Sequence, residues 1–162
     1  LVDLFAKVRA LPWRAFGLAA CCFAAMFGSV LTVGREIFSD YQHWSANDIA
    51  LADYIDANAE SDALFLTSDS HVTPVFALAG RRILCGSGSY VYYHGMDYAD
   101  EYSAMAALYE HPNESTLAAW DVGYVLFDSS VYGKFADADE SWYAARYPVW
   151  YENDGCRLYK IK

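Results

Sequence analysis

The distribution of hydrophobic residues divides the chain near residue 35. Residues 15–33 read AFGLAACCFAAMFGSVLTV, a run of nineteen residues without a charged side chain. A helix of this length spans roughly 28 Å, close to the thickness of the hydrocarbon layer of a bilayer. The pattern predicts a membrane-spanning helix at residues 15–34. A signal peptide and a buried helix of a soluble protein are the alternatives, but charged residues follow the run, where a cleavage site needs small ones.

The charges that flank this segment predict its orientation. Residues 1–14 contain three cations and one anion, whereas Arg35 is accompanied by Glu36 and Asp40. The positive-inside rule therefore places residues 1–14 in the cytoplasm as a short flank. Residues 35–44 then form a juxtamembrane linker, and the part of the chain after about residue 40 lies outside the cell membrane.

The remaining residues, 45–162, alternate between short apolar runs and amphipathic stretches. The patterns predict strands at 63–67, 82–85, 123–127, 147–152 and 157–161, and helices at 45–59, 74–80, 97–110 and 113–120. Strands separated by helices indicate a mostly parallel sheet flanked by helices. Asn153-Asp154-Gly155 is a hairpin turn signal between the last two strands. The predicted fold class is α/β, with one N-terminal transmembrane helix and a terminal β-hairpin.

Composition and charge exclude two broad classes of function. The apolar fraction of 56% and the aromatic fraction of 17% exclude a disordered chain. The net charge is −10, from 11 Lys and Arg against 21 Asp and Glu, and a nucleic-acid partner is not expected because phosphate binding needs clustered cations. Residues 1–40 carry four cations and three anions, so the part from residue 41 carries −11.

Four polar residues are expected near one edge of the predicted sheet. Asp69 and His71 follow the first strand, and His94 and Asp97 follow the glycine-rich segment after the second. Ligands of open α/β sheets bind at the carboxyl ends of the strands. Two imidazoles and two carboxylates there could contact a ligand, act as acid and base, or bind a metal. The alternative is that these residues cap helices and turns. No zinc-ligand spacing is present, and neither a metal nor another cofactor is predicted.

Arg81 and the cysteines carry two further hypotheses. Arg81, beside Arg82, could clamp a phosphate or carboxylate, or could serve a helix C-terminus or an ion pair. Cys85 and Cys156 lie in the exterior part, where an oxidising compartment would allow a disulfide between them. Residues 86–89, Gly-Ser-Gly-Ser, lack the remaining residues of a phosphate-binding loop and no helix is expected directly after them, so a turn is predicted.

Several segments, taken in order, resemble a known class of membrane protein. These are FALAGRRILCG (76–86), YYHGMDY (92–98), LYEHPNESTLAAWDVGYVLFD (108–128) and YPVWYENDGCRLYKIK (147–162). With the preceding apolar helix, they resemble the last membrane helix and C-terminal extracytoplasmic domain of bacterial multi-pass glycosyltransferases of the GT-C superfamily, or uncharacterised relatives. The resemblance covers nearly the whole chain and is carried most directly by Ala79–Arg81, His94–Tyr98 and Gly123–Leu126.

The resemblance implies a function for the intact protein. Such enzymes transfer a sugar from a polyprenyl-phosphate donor with inversion, and their catalytic carboxylate lies in a loop after the first membrane helix. This chain alone is then not expected to be catalytic, and its exterior domain would help to hold the glycan acceptor or the lipid-linked donor. The resemblance points to Arg81 and His94 for contacts to the donor's anionic headgroup. The alternatives are a non-enzymatic, membrane-anchored module that binds cell-wall glycan or a protein, and more remotely a hydrolase that uses Asp69, His71, His94 and Asp97.

Overall fold

The computed structural model describes residues 11–39 and 41–162, and the chain divides into two compact units, one ending at His43 and one beginning at Trp44. The first unit contains helix α1, Leu11–Phe38. Residues 12–38 of this helix have a mean hydropathy of 2.0, and none of the apolar stretch is buried. The predicted apolar helix is therefore present and is long enough to cross a membrane. A signal sequence passes the same test of length and composition.

The second unit is a mixed α/β domain. Its helices are α2 (Ala46–Asn58), α3 (Gly88–Tyr93), α4 (Ala99–Glu110), α5 (Glu114–Ala119), α6 (Ser129–Lys134) and α7 (Glu140–Ala144). Its strands are β1 (Leu64–Leu66), β2 (Arg82–Ile83), β3 (Tyr124–Asp128), β4 (Val149–Asn153) and β5 (Cys156–Lys160). A single π-helical turn, Pro74–Leu78, links β1 to β2.

The five strands form one sheet in the order β2-β1-β3-β5-β4. Strands β2, β1 and β3 are parallel neighbours, and β5 runs antiparallel to both β3 and β4. Four strands thus point one way and β5 alone points the other, as a hairpin added to a parallel sheet requires. The predicted α/β class, with its flanked sheet and terminal hairpin, is confirmed, but the sheet is mixed and not mostly parallel, because two of its four strand pairings are antiparallel.

Alternate residues along the central strands build two cores, one on each face of the sheet. On one face, Leu66, Val125 and Phe127 pack beneath α4, α5, α6 and α7. On the other face, Phe65 and Tyr124 stack with ring centroids 4.6 Å apart and pack beneath α2 and the π-helical turn. Because strand side chains alternate between faces, a sheet covered on both sides needs such continuous apolar runs. The domain is a three-layer sandwich.

Local signals in the sequence explain where some helices begin, and their absence explains why other helices were not predicted. Ser45 and Asp48 form a complete capping box at the start of α2, and the Asn113 side chain caps α5. The turn expected at residues 86–89 covers only Gly86 and Ser87, because α3 begins at Gly88 with Ser87 as its N-cap residue. Helices α6 and α7 were not predicted, since each spans less than two turns and shows no apolar period.

Candidate ligand-binding edge of the sheet

The carboxyl ends of β1 and β3 are joined by a chain of hydrogen bonds between polar side chains. Ser68 follows β1, is buried, and its hydroxyl lies 2.8 Å from that of Ser130 at the start of α6. The Ser130 hydroxyl in turn donates to Oδ1 of Asp128, at 2.6 Å. That carboxylate oxygen also accepts the backbone N–H groups of Ser130 and Val131 and so caps α6. The edge of the sheet is therefore polar and pre-organised at this point.

An ion pair between Asp69 and Lys134 lies on the same edge. Asp69 follows β1, Lys134 ends α6, and their side chains are 26% and 27% exposed. The Lys134 ammonium also lies 4.8 Å from the ring centroid of Tyr102 on α4. Burial acts to lower the pKa of Lys134, but the hydrogen bond and charge of Asp69 outweigh it and raise that pKa. Lys134 is thus a charged, half-buried cation whose charge Asp69 already balances.

Cys85 lies in the core beneath this edge and is not a nucleophile. It is 3% exposed and follows β2. Burial first, and then the negative charges of Asp69 and Glu101, raise the pKa of the Cys85 thiol to about 11. Since the thiolate is the reactive form, this cysteine stays protonated and inert at neutral pH.

His71 and Tyr90 bring the β1 and β2 connections together. Their ring centroids lie 4.2 Å apart with the planes tilted by 44°. Nδ1 of His71 is buried, and within the described residues it has no hydrogen-bond partner. Tyr90, on α3, is 56% exposed. The pair presents an aromatic surface to solvent with one unused polar atom of the imidazole beneath it.

His94 and Asp97 are both exposed to solvent. His94 is exposed and forms the C-terminal cap of α3. Asp97 is exposed, and its Oδ1 accepts the backbone N–H of Ala99, the first residue of α4, at 3.0 Å. In residues 11–39 and 41–162, no three or more His, Cys, Asp or Glu side chains are grouped so that they could hold a metal ion. Among the described residues, Asp69, His71, His94 and Asp97 therefore do not form a group that could hold a metal ion, and their role in contacting another kind of ligand stays a prediction.

Arg81 lies at the amino end of β2, the opposite end from the segment that contains His94. Its guanidinium pairs with the Asp56 carboxylate on α2 at 3.1 Å and donates to the carbonyl oxygens of Ala79 and Asp56. Its side chain is 11% exposed, and its Nε is buried without a hydrogen-bond partner in the described part of the chain. The structure thus uses Arg81 to fasten the π-helical turn to α2, and does not bring it together with His94.

The predicted pairing of Cys85 with Cys156 is not formed. Both are free thiols, and Cys85 belongs to one core whereas Cys156 packs against the other. They follow β2 and begin β5, with β1 and β3 between those strands. Three strand spacings amount to about 14 Å, which exceeds the Cα separation of roughly 7 Å that a disulfide tolerates. The correction follows from strand order, which spacing along the chain did not reveal.

A cavity of about 310 Å³ opens beside the carboxyl end of β3, lined in part by Asp128, Tyr132 and Cys156. Arg157 also lines it and is held between two carboxylates, Glu140 at 2.7 Å and Glu152 at 2.5 Å. Ligand pockets begin at roughly 300 Å³, so this cavity could hold one small group. As with Lys134, the cation at this position is already neutralised.

The residues that the sequence did not single out are those contributed by α6 and the strand ends. Lys134 is the only lysine between residues 8 and 159, and an isolated cation in an acidic domain was a usable signal. Ser68, Asp128 and Ser130 had a weaker signal in the sequence, since each follows the apolar run of a predicted strand. No protein-family model matches the chain, and a search of curated proteins finds no match.

Proposed function

We propose that the domain beginning at Trp44 is the extracytoplasmic part of a membrane glycosyltransferase resembling the GT-C superfamily, and that it holds a neutral sugar acceptor at the carboxyl edge of its sheet. The observation that carries the choice of ligand is the state of the cations on this edge. Lys134 is paired with Asp69, and Arg157 is held between Glu140 and Glu152. An anionic headgroup would have to displace these carboxylates, whereas a neutral sugar would not.

The chemistry of the edge suits a carbohydrate. Sugar hydroxyls are donors and acceptors, and the edge offers the exposed Ser130 hydroxyl and the partly exposed Asp69 carboxylate. Tyr90 adds an exposed aromatic face on which a sugar ring can stack. Polar groups fixed by a rigid sheet, beside an aromatic platform, give both orientation and contact area.

The charge of the domain points the same way. From residue 41 onward the chain carries a net charge of −11, so a polyprenyl phosphate is repelled over most of its surface. The resemblance originally favoured Arg81 as a phosphate contact, but that guanidinium is occupied by Asp56. We therefore assign the donor to the membrane part of the intact protein and the acceptor to this domain. The proposal gives no residue of this chain a catalytic role.

Membrane anchoring is supported by α1. The helix from Pro12 to Phe38 is unburied and long enough to cross a bilayer, and the three cations before its uncharged run at residues 15–33 favour a cytoplasmic N-terminal flank. The domain would then lie on the outer face of the cell membrane, where polyprenyl-linked sugars are used in this superfamily. Its acidic surface keeps it from collapsing onto anionic lipid.

Binding by the full chain in phosphatidylcholine nanodiscs tests this proposal. Two probes are titrated separately, a set of neutral oligosaccharides and a short polyprenyl phosphate. We expect saturable binding of an oligosaccharide, weakened tenfold or more (about 1.4 kcal/mol) by Tyr90→Ala or by Asp69→Asn. Tyr41→Ala is the matched control, since Tyr41 is 73% exposed and lies outside the domain.

Other results would change the assignment. If the chain binds the polyprenyl phosphate saturably and Arg81→Ala abolishes that binding, the ligand site lies at the amino end of β2 instead. Binding of neither probe by a well-folded chain would contradict a ligand site on the carboxyl edge. Binding of an oligosaccharide by a chain whose intact protein transfers no sugar would favour the anchored, non-enzymatic module.

A further inference from the structure

The segment around α3 differs from the rest of the domain in charge and exposure. Residues 83–96 contain no Asp, Glu, Lys or Arg, although the chain from residue 41 carries a net charge of −11. Helix α3 buries none of its side chains. Tyr92 is 70% exposed, Tyr93 is 84% exposed, and Met96, three residues after the end of the helix, is 56% exposed. An uncharged group of large side chains on an acidic domain indicates a contact surface.

The side chains of this surface are those that enter the interface of a bilayer. Tyrosine has an apolar ring and a polar hydroxyl, and is enriched where hydrocarbon meets headgroups. The Tyr92 and Tyr93 rings lie 5.7 Å apart in an edge-on arrangement, so they form one aromatic projection. Methionine adds flexible apolar volume beside it. Since the segment carries no formal charge, it loses no ionic hydration on entering the interface.

Chain length keeps the domain near a bilayer. Helix α1 ends at Phe38 and the domain begins at Trp44. A link of six residue steps reaches about 20 Å even when fully extended. A domain on so short a link meets the membrane surface continually, and an apolar projection on it would partition there.

A second exposed apolar surface exists, but its charges are unfavourable. Ile49 and Leu78 line a groove between α2 and the π-helical turn, with Phe76 exposed nearby along the chain. The same groove is lined by the carboxylates of Asp53 and Asp56. Burying this groove in lipid would desolvate the Asp53 carboxylate and the ion pair of Asp56 with Arg81, which opposes insertion.

We propose that Tyr92, Tyr93 and Met96 insert into the outer interface of a zwitterionic bilayer and so turn the carboxyl edge of the sheet toward the membrane. Tyr90, on the same short helix as Tyr92 and Tyr93, packs against His71 at that edge. Insertion would place an acceptor bound there at the level of lipid-linked donors. This inference rests on the membrane anchoring in the proposed function, but not on sugar binding.

Depth-dependent fluorescence quenching tests the insertion. The full chain is reconstituted into vesicles of phosphatidylcholine, with or without bromine on the acyl chains, as the Tyr93→Trp variant and as the Phe76→Trp variant. Both positions are exposed aromatics, at 84% and 48%, so each substitution is expected to fold. Each variant adds one tryptophan to the same five, and the unsubstituted chain provides the background.

We expect the fluorescence added at position 93 to lose most of its intensity in brominated lipid, and that added at position 76 to lose little. Quenching at position 76 and not at position 93 would overturn the inference. So would the absence of quenching at both positions in a chain that floats with the vesicles. Either result would leave the membrane anchoring intact. A chain that does not float with the vesicles would contradict the anchoring and the insertion together. Sugar binding is measured separately, so its failure remains distinguishable from either result.

Discussion

The hydroxyl of Tyr109 donates a hydrogen bond to the carbonyl oxygen of Leu126, at 2.7 Å. It also lies 3.2 Å from the carbonyl oxygen of Leu66, so one buried phenol contacts backbone carbonyl groups of both β3 and β1. Burial, and after it the charge of Asp128, raises the pKa of Tyr109 well above its usual value, which keeps the donor proton in place. This side chain therefore fixes the two strands from which the candidate ligand-binding edge is built.

Replacing Tyr109 by Phe should destabilise the domain without emptying its core. The ring contacts to Phe127 and Phe135 remain, whereas two buried carbonyl groups lose their shared donor. We expect a loss of about 1–2 kcal/mol in the free energy of unfolding. Urea unfolding of the chain in detergent, followed by near-UV circular dichroism, measures it. Tyr92→Phe is the control, since that side chain is 70% exposed. Equal stability of both variants would show that water replaces the donor.

A second prediction concerns the glycine at the start of α3. A Cβ atom on Gly88 would lie 2.7 Å from Oη and 2.8 Å from Cζ of Tyr98, closer than packing allows. Gly88→Ala should therefore push the Tyr98 ring out of its place against the core and cost about 1–3 kcal/mol. Gly86→Ala is a matched control, because its Cβ would meet only a Val91 methyl at 3.8 Å.

The two alanine variants are compared by thermal unfolding in the same detergent. A Gly88→Ala chain as stable as Gly86→Ala would mean that Tyr98 swings aside at no cost. Restoration of stability when Tyr98→Ser is added to Gly88→Ala would identify the clash as the cause, since additive effects are expected of residues that do not touch.

Much of this fold follows from local signals in the sequence. Polar capping residues, the apolar runs of the strands and turn signals act over a few residues, so Ser45, Asn113 and the hairpin at Asn153 could be recognised from the sequence alone. The position of Asp69 and His71 after a strand also followed, because parallel strands place their carboxyl ends on one edge.

The remainder of the candidate site depends on partners distant in sequence. Nothing near Arg81 in the sequence indicates that Asp56 will occupy it, and nothing near Asp69 indicates that Lys134 will neutralise it. These pairs form only when α2 and α6 pack against the sheet. A cation that seems available for a phosphate in the sequence is thus already bound in the fold, and the expected ligand changes from charged to neutral.

Acid should weaken the domain through Glu140. Burial acts to raise the pKa of this carboxyl, but hydrogen bonds from Tyr132, Tyr159 and Arg157 outweigh it and hold the pKa below its ordinary value of 4.5. A carboxyl with a lowered pKa in the folded state stabilises that state above the unfolded pKa, and the contribution is lost as the pH falls through the folded value. The free energy of unfolding should therefore decline as the pH falls below about 5.

Substitution of Glu140 separates its contribution to the pH dependence of stability from that of the other carboxyl groups. Glu140→Gln should be less stable at neutral pH and should flatten the decline, although Glu60 and Asp139, whose pKa values are also lowered, keep part of it. Asp137→Asn changes an exposed acid three residues away and is the matched control. Urea unfolding at a series of pH values measures all three chains. A slope unaltered by Glu140→Gln would refute the assignment.

The thiols of the domain should resist modification while it is folded. Burial first, and then the charge of Asp128, raises the pKa of Cys156 to about 12, and the pKa of Cys85 is raised to about 11. Alkylation requires the thiolate, so both should react with iodoacetamide at pH 8 only after unfolding. The same chain unfolded in urea is the control, in which both thiols should react. Peptide mass spectrometry without reduction reads each site, and a cross-linked peptide containing Cys85 and Cys156 would contradict the strand order, because the two sulfur atoms lie on opposite faces of the sheet.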